Sequence, residues 1–252
     1  MSQYNLKTAN GKKEIVWNSG RNRGIEEYSK RIGNFSDEIA KRVKKAQKGK
    51  IRILDIGCGY GKVLLELKKL HGNNVETYGI NLEPKWDLNL IRKFALSEEI
   101  FTKKDINKNL PKLWIGESSK GLPYPSNYFD IIISVASMQY VPDKAKLLKE
   151  CNRVLKKEGI CKIQHSFTKK SHPPEYKQLF EIWNEKGKRI DWKEYLKQFK
   201  NIQFKATDHK HGQYLILKKT KNFKFKLKLI SSLDLHKVNP DWWGTKTIYK
   251  LK

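Results

Sequence analysis

The sequence predicts an α/β protein built on a doubly wound, mostly parallel sheet, and three stretches predict it. Residues 51–56 form an apolar run (Ile51, Ile53, Leu54, Ile56) that passes through Gly57, Gly59 and Gly61 into a segment whose apolar positions 63, 64, 67 and 70 recur at helical spacing. Val75–Ile80 reads as a second strand, followed by Asn81-Leu-Glu-Pro84, where proline is expected to open the next helix. Asp130–Ala136, an amphipathic segment over 143–155, Gly159 as a helix stop, and Ile160–Phe167 supply strand, helix and strand again. Strands alternating with helices form parallel sheets covered on both faces.

The glycine turn narrows the ligand class. Glycine at 57, 59 and 61 removes the Cβ atoms that would keep a ligand from the backbone and permits positive φ. A dinucleotide fingerprint places its third glycine one residue later, where this chain has Lys62. Asp55 would repel a diphosphate and attract a cationic amino-acid group. A nicotinamide-dependent oxidoreductase therefore fits the spacing poorly.

The pattern Asp-x-Gly-x-Gly-x-Gly from Asp55 to Gly61 resembles motif I of the class I S-adenosylmethionine-dependent methyltransferases. Two further stretches follow in that family's order. Leu122-Pro-Tyr-Pro-Ser-Asn-Tyr-Phe-Asp130 is similar to the run linking its third and fourth strands, and Glu150, Arg153, Val154, Leu155, Lys156 and Gly159 are similar to its Glu-x-x-Arg-Val-Leu-Lys-x-x-Gly segment. The resemblance, to the methyltransferase type 11-like subfamily, covers about residues 50 to 167. It implies a Rossmann-like sheet of seven strands with an antiparallel last strand, and S-adenosyl-L-methionine as cofactor.

The site residues the resemblance implies are Asp55, Gly57, Cys58, Gly59 and Gly61 for the methionine end, Asn81, Leu82 or Glu83 at the ribose, Glu117 with Ser118 at the adenine, and Ala136 where the fourth strand ends. The family's ribose acid is replaced by Asn81, with Glu83 two places on, and either residue is a candidate. The third strand is either 100–105 or 113–117. The second is adopted because 122–130 follows it, with Asp105 as the alternative acid. Methyl transfer is an in-line displacement that needs positioning more than a dedicated acid or base. His165 and Tyr140 are the catalytic candidates, beside Ser137, Met138 and Gln139 on the expected acceptor side.

Three acceptor chemistries are disfavoured. The fourth strand ends in Val-Ala-Ser-Met rather than an Asn-Pro-Pro-Tyr-like motif, no cysteine follows a proline, and no aspartate stands there for ribose methylation. A small molecule, a less typical RNA position or a protein side chain remains.

The expected organisation is an N-terminal arm and helix over 1–48, the methyltransferase domain over 49–218, and a basic extension over 219–252. Ser36–Lys45 has the charge order of a helix. Trp17 and Tyr28 are expected to be lid residues or anchors of the arm. Residues 174–199 show helix-like spacing with Trp183, Trp192 and Tyr195, whereas 202–207 and 213–217 alternate as the closing antiparallel strands, joined by a turn at 209–212. In the extension, 223–229 and 246–251 alternate apolar with polar or basic residues, the pattern of half-buried strands.

A net charge of +27, from 53 lysines and arginines against 26 acids, makes RNA a candidate partner through a basic surface. Nearly all of that charge is lysine, and bidentate readout would favour arginine. The second reading is accordingly a catalytically silent, methyltransferase-like RNA-binding subunit. No apolar run reaches 18 residues and no signal-peptide core is seen, so a soluble cytoplasmic protein is expected. Three cysteines without a Cys-x-x-Cys pair suggest neither a disulfide framework nor a metal site.

Overall fold

The computed structural model describes residues 23–46, 49–138, 141, 143–164, 181–207, 213–221, 223–232 and 247–252, together with the backbones of strands β1 (Gln3–Lys7) and β2 (Lys13–Trp17), which pair as a hairpin. Gln139, Tyr140, His165, the 209–212 turn and the side chain of Trp17 lie outside the described residues.

The central sheet has seven strands: β3 (Ile51–Ile56), β4 (Val75–Asn81), β5 (Lys112–Ile115), β6 (Phe129–Ser134), β7 (Leu155–Gln164), β10 (Ile202–Ala206) and β11 (Gln213–Lys218), in the order β10-β11-β7-β6-β3-β4-β5. The chain leaves β3 toward β4 and β5, then returns to β6 and β7 on the other side, so the order reverses between β3 and β6. Such a switch point opens a crevice at the carboxyl ends of the strands. Strand β11 runs antiparallel to both β7 and β10, and the other neighbours are parallel. This is the doubly wound, Rossmann-like order with an antiparallel last strand that the sequence predicts.

Side chains alternate across the sheet as the pleat requires. Ile53, Ile131, Ile133, Tyr214 and Ile216 face α1 (Ile25–Ile32), α2 (Phe35–Lys45) and α3 (Lys62–His71). Leu54, Ile132, Cys161, Leu215 and Leu217 face α6 (Lys144–Val154) and α7 (Trp192–Lys197). Helices α4 (Leu88–Ser97) and α5 (Ile106–Asn109) pack with Tyr60 and Leu65 in a third cluster. All three cysteines are free and buried.

A second sheet has the order β12-β13-β8-β9, from β8 (Glu181–Trp183), β9 (Arg189–Asp191), β12 (Leu227–Ser232) and β13 (Thr247–Leu251). Leu227, Leu229, Tyr249, Leu251, Ile182 and Ile190 join the α6 and α7 face of the main core. Tyr249 locks the contact: its hydroxyl donates to Asp143 Oδ1 (2.9 Å) and accepts from the Ala145 amide (3.0 Å) at the start of α6.

Four local expectations are corrected. Pro84 does not open a helix, because Trp86 N–H closes a turn on Glu83 O (3.0 Å) and Asn81 Nδ2 takes Trp86 O (2.9 Å). Helix α4 starts at Leu88 instead, capped by Asp87 through the Leu90 amide (2.8 Å). Gly159 does not stop α6. The fully buried Leu155 already turns extended and pairs with Phe129, and β7 bulges over residues 156–159 before Ile160 pairs with Ile131. Within 174–199, residues 181–191 form a hairpin rather than a helix, and 174–180 lie outside the described residues. Asn184 Oδ1 accepts from the Lys186 and Lys188 amides (3.1 and 2.8 Å) and Gly187 takes φ +72, a turn that outweighs helical periodicity. Finally, β12 begins at Leu227, while Phe223 and Phe225 pack edge to face with centroids 4.7 Å apart ahead of it.

The two family-like stretches clasp each other. Glu150 accepts from the Leu122 amide (2.8 Å), and Arg153 donates to Leu122 O (2.9 Å), Tyr124 O (2.8 Å) and Glu150. Lys156 meets both oxygens of Asp130 at 2.8 Å, and Asp130 also accepts from the Arg52 amide (2.8 Å). Lysine cannot reproduce Arg153's planar fork. Arg153→Lys should therefore cost about 1–3 kcal/mol, read as a lower denaturant midpoint at unchanged slope.

Candidate active site

Three strands meet at the turn after β3. Gly57 and Cys58 N–H both donate to Ile80 O (2.8 and 3.1 Å), and Gly61 N–H donates to Cys58 O (2.8 Å). Asn81, buried at the end of β4, accepts from the Gly59 amide through Oδ1 (2.8 Å) and donates from Nδ2 to Gly59 O (3.0 Å) and Trp86 O (2.9 Å). Both of its amide hydrogens are thus engaged in holding the turn. The hydroxyls of Ser134, at the end of β6, and Ser137, in the loop after it, donate to Ile56 O (3.0 and 2.7 Å).

The glycines are needed for different reasons. Gly57 (φ +78) faces Ser137, whose Cβ would lie 2.3 Å from an added Cβ. At Gly59 (φ +54) an added Cβ would meet, among the described residues, only the Trp86 ring at 3.9 Å. Trp86 packs edge-on against Tyr60 (4.9 Å), and Tyr60 against Phe94 (5.0 Å), making an aromatic wall beside the turn.

Asp55 is fully buried at the end of β3. Tyr28, delivered by α1, donates to its Oδ2 (2.8 Å), while Oδ1 has no hydrogen-bond partner among the described residues. Burial raises the carboxyl from the usual 3.8 to about 7, against the lowering effects of the Tyr28 hydroxyl and the Arg23 charge. Burial and Asp55 together push the Cys58 thiol well above its usual range, so it stays neutral.

The remaining sequence-predicted residues lie around this turn. Leu82 is 49% exposed, and Glu83 pairs with Lys85 (2.5 Å). Strand β5 is the second of the two sequence candidates; Gly116 N–H donates to Asn81 O (2.8 Å), and Glu117 and the buried Ser118 follow. Burial raises the Glu117 carboxyl, but the Ser119 hydroxyl (2.6 Å) and Lys120 (3.0 Å) outweigh it and leave it below its usual value. Asp105 sits apart, at the start of α5, tied to Thr102 and Lys108. Ala136 takes φ +55, and its amide donates to Gln164 Oε1 (3.1 Å).

Sequence reasoning missed the Tyr28–Asp55 bond, which spans 27 residues, although Tyr28 stood out as an arm aromatic. It also missed the wall of Trp86 and Tyr60, and Lys144. That lysine is fully buried after the β6 loop, donates to Val141 O (2.9 Å), and is pulled by burial to about 7 against the Asp143 charge. A polar groove of about 370 Å³, lined by Arg23, Glu26, Glu27, Lys30, Lys62 and Glu66 among others, runs between the starts of α1 and α3 and suits ions better than an aromatic ring.

Residues 54–163 match the family model described as a methyltransferase domain. This stretch is a class I, Rossmann-like methyltransferase domain. The chain is 31% identical over 143 residues to the ubiquinone/menaquinone biosynthesis C-methyltransferase UbiE of Rickettsia akari, covering 55% of this chain and 52% of that one. It is 30% identical over 135 residues to the mitochondrial arginine-hydroxylase NDUFAF5 of Rattus norvegicus, covering 54% and 32%. Among solved structures, a SAM-dependent methyltransferase from Methanosarcina mazei is 20% identical, with 71% of this chain and 98% of that chain covered and a TM-score of 0.47. The match thus spans about a third to a half of these curated relatives' length. Methyltransferase domains of this class use S-adenosylmethionine, and the acidic, glycine-rich turn fits such a ligand: among the described residues one oxygen of its carboxylate has no hydrogen-bond partner and only the Trp86 ring comes within 4 Å of a Cβ added at Gly59. No described helix of the chain is long and apolar enough to cross a membrane.

The two glycines of the methyltransferase turn should respond differently to alanine. Gly59→Ala should cost about 1 kcal/mol for its left-handed backbone alone. Gly57→Ala should cost roughly a further 1–3 kcal/mol from the clash with Ser137. Thermal melting of both variants checks the order.

Proposed function

We propose that the chain transfers a methyl group from S-adenosylmethionine to an acceptor entering over the carboxyl ends of β3 and β6. Asp55 carries the reading: a buried carboxylate with one oxygen unpartnered among the described residues, directly ahead of three positive-φ glycines. A buried charge without full compensation is costly, and a cationic group nearby relieves it. When bound, S-adenosylmethionine supplies an electrophilic methyl group on a sulfonium.

Asp55, Gly57, Cys58, Gly59 and Gly61 are assigned to the methionine end. Because Asn81 spends its amide hydrogens on the turn, Glu83 is the better ribose partner, with Leu82 giving apolar surface beside it. Glu117 and Ser118 are assigned to the adenine, and Ala136 to the border with the acceptor. The chain's task is to hold the acceptor in line with the methyl group and to exclude water. His165 and Tyr140 remain its candidates for moving an acceptor proton. The acceptor is a small molecule, an RNA position or a protein side chain.

The raised Asp55 carboxyl, faced by Tyr28 from α1, Arg23 ahead of α1 and Cys58 from the turn, makes binding pH-dependent. Below about 7 the group is largely protonated in the free protein, so a cationic ligand must release that proton. Calorimetry should show affinity rising with pH up to about 7 and then levelling, with proton uptake by the buffer at pH 6. Asp55→Asn should weaken binding and remove that pH dependence. Unchanged affinity and pH profile would sink the assignment.

The same shift has a stability consequence of defined sign. The folded carboxyl binds its proton more tightly than the unfolded one, so the wild type should lose stability relative to Asp55→Asn as pH rises from about 4 to about 7. The loss should be on the order of 3–4 kcal/mol, read from denaturant midpoints.

The reaction itself is tested by radiolabelled methyl transfer into cell extract, with ribonuclease, protease and small-metabolite fractions separated. Label in one fraction identifies the acceptor class. Tight cofactor binding without label in any fraction would replace the enzyme reading with the catalytically silent one.

A further inference from the structure

The outward face of the second sheet carries an arrangement that composition alone does not produce. Lys228 of β12 pairs directly with Lys250 of β13, Lys250 with Trp183 of β8, and Trp183 with Arg189 of β9. Directly paired residues share a face, so these four side chains form one row across all four strands. One step along, Lys252 N–H donates to Lys226 O (2.9 Å), which sets Lys226 opposite Lys252 on the same face. The opposite face is the apolar one, with Leu227, Leu229, Tyr249 and Leu251 in the core.

Two facing lysine pairs in succession destabilise the sheet that holds them, since like charges directly opposite repel. Lys226, Lys228, Lys250 and Lys252 are all exposed, and none has an ion-pair partner among the described residues. Many other lysines sit beside an acid: Lys30 pairs with Glu26, Lys108 with Asp105, Lys120 with Glu117 and Lys156 with Asp130. At the far end of the row the Arg189 guanidinium lies over the Trp183 ring, 5.5 Å from its centroid. Two acids share this face by register, Glu181 of β8 and Asp191 of β9, paired with each other one step beyond Trp183 and Arg189; Asp191 turns its carboxylate to the first amides of α7.

We propose that this face binds single-stranded RNA. Paired ammonium groups along two strands suit a phosphate backbone, and an arginine stacked on a tryptophan gives a flat cationic platform for unstacked bases. A duplex, whose bases are already stacked, has no use for the platform, and an anionic lipid surface is the alternative that the measurement separates. Tyr249 fixes the back of the same strand to the start of α6, just past the β6 loop, so a docked strand lies on the sheet bordering the acceptor side of the methyltransferase domain. The site does not depend on methyl transfer, and its test uses neither cofactor nor acceptor.

Fluorescence anisotropy of a labelled 12-nucleotide single-stranded RNA, titrated with the full chain over a salt series, is the measurement. The double variant Lys228→Gln/Lys250→Gln should bind roughly tenfold or more weakly near 0.1 M salt, with the slope of log affinity on log salt reduced by about 1.4. The control pair Lys93→Gln/Lys103→Gln, exposed on α4 and the loop after it, should stay within about threefold of wild type, a general-charge effect only. Because the substitution removes a repulsive pair, the melting temperature of Lys228→Gln/Lys250→Gln should not fall. Equal losses in the two double variants, no measurable RNA binding by the wild type, tighter binding of a duplex of the same length, or a preference for phosphatidylserine vesicles over RNA would each overturn the proposal.

Discussion

The glycine turn holds its shape because Asn81 reaches across from β4 and takes both the N–H and the carbonyl of Gly59. Three positive-φ glycines in five residues would otherwise sample many conformations, since glycine loses the most backbone freedom on ordering. Asn81 also fixes Trp86 O, so one amide orders the turn and the loop ahead of α4 together. Ser134, at the end of β6, and Ser137, in the loop after it, complete the joint through Ile56 O. The crevice at the switch point is therefore built from hydrogen bonds between strand ends, and the core packing beneath it only has to keep β3, β4 and β6 in register. Asparagine in place of a carboxylate at this position has a structural logic: a carboxylate accepts but cannot donate to Gly59 O and Trp86 O.

What was legible in the sequence was what is local. Residues 51–70 and 129–134 declare strand, turn and helix by periodicity alone, and the order of the three family-like stretches sufficed for the sheet topology. Errors arose wherever a distant partner decides the backbone. Pro84 looks like a helix start until Asn81 claims the Trp86 carbonyl, and Gly159 looks like a helix stop until Leu155 is drawn into the sheet core four residues earlier. The aromatic spacing of 181–191 gave way to the turn at Asn184 and Gly187. The site followed the same rule. Its glycines and Asp55 stand out in the sequence, whereas the commitment of Asn81 to the turn and the Tyr28 bond rest on contacts 22 and 27 residues apart.

What sets the lysines of the second sheet apart is their register, not their lack of acidic partners. Some lysines on the helices and around the main sheet lie beside acids at short sequence or sheet distances, pairs that contribute little to stability, while others there, such as Lys41, Lys69 and Lys93, have no ion pair among the described residues. On β12 and β13 the alternation that buries Leu227, Leu229, Tyr249 and Leu251 necessarily projects every intervening lysine to one side. Register then stacks them opposite one another. A lysine on an edge strand deters pairing with another chain, but β13 is an inner strand, so Lys250 does not guard an edge.

The Tyr28–Asp55 bond links the N-terminal helix to the protonation state of the turn. Tyr28 is buried with Ile32 and Phe35 under α3, so its hydroxyl cannot leave Asp55 without α1 shifting against the core. Its own ionisation is pushed far up by burial and by Asp55, so it acts as a neutral donor throughout the accessible pH range. A neutral donor stabilises the carboxylate without cancelling its charge, and among the described residues Oδ1 has no donor of its own. A cation arriving at the turn strengthens the ionised form, and the ionised form in turn strengthens the Tyr28 bond. By linkage, whatever holds α1 in place then favours the cation by the same factor.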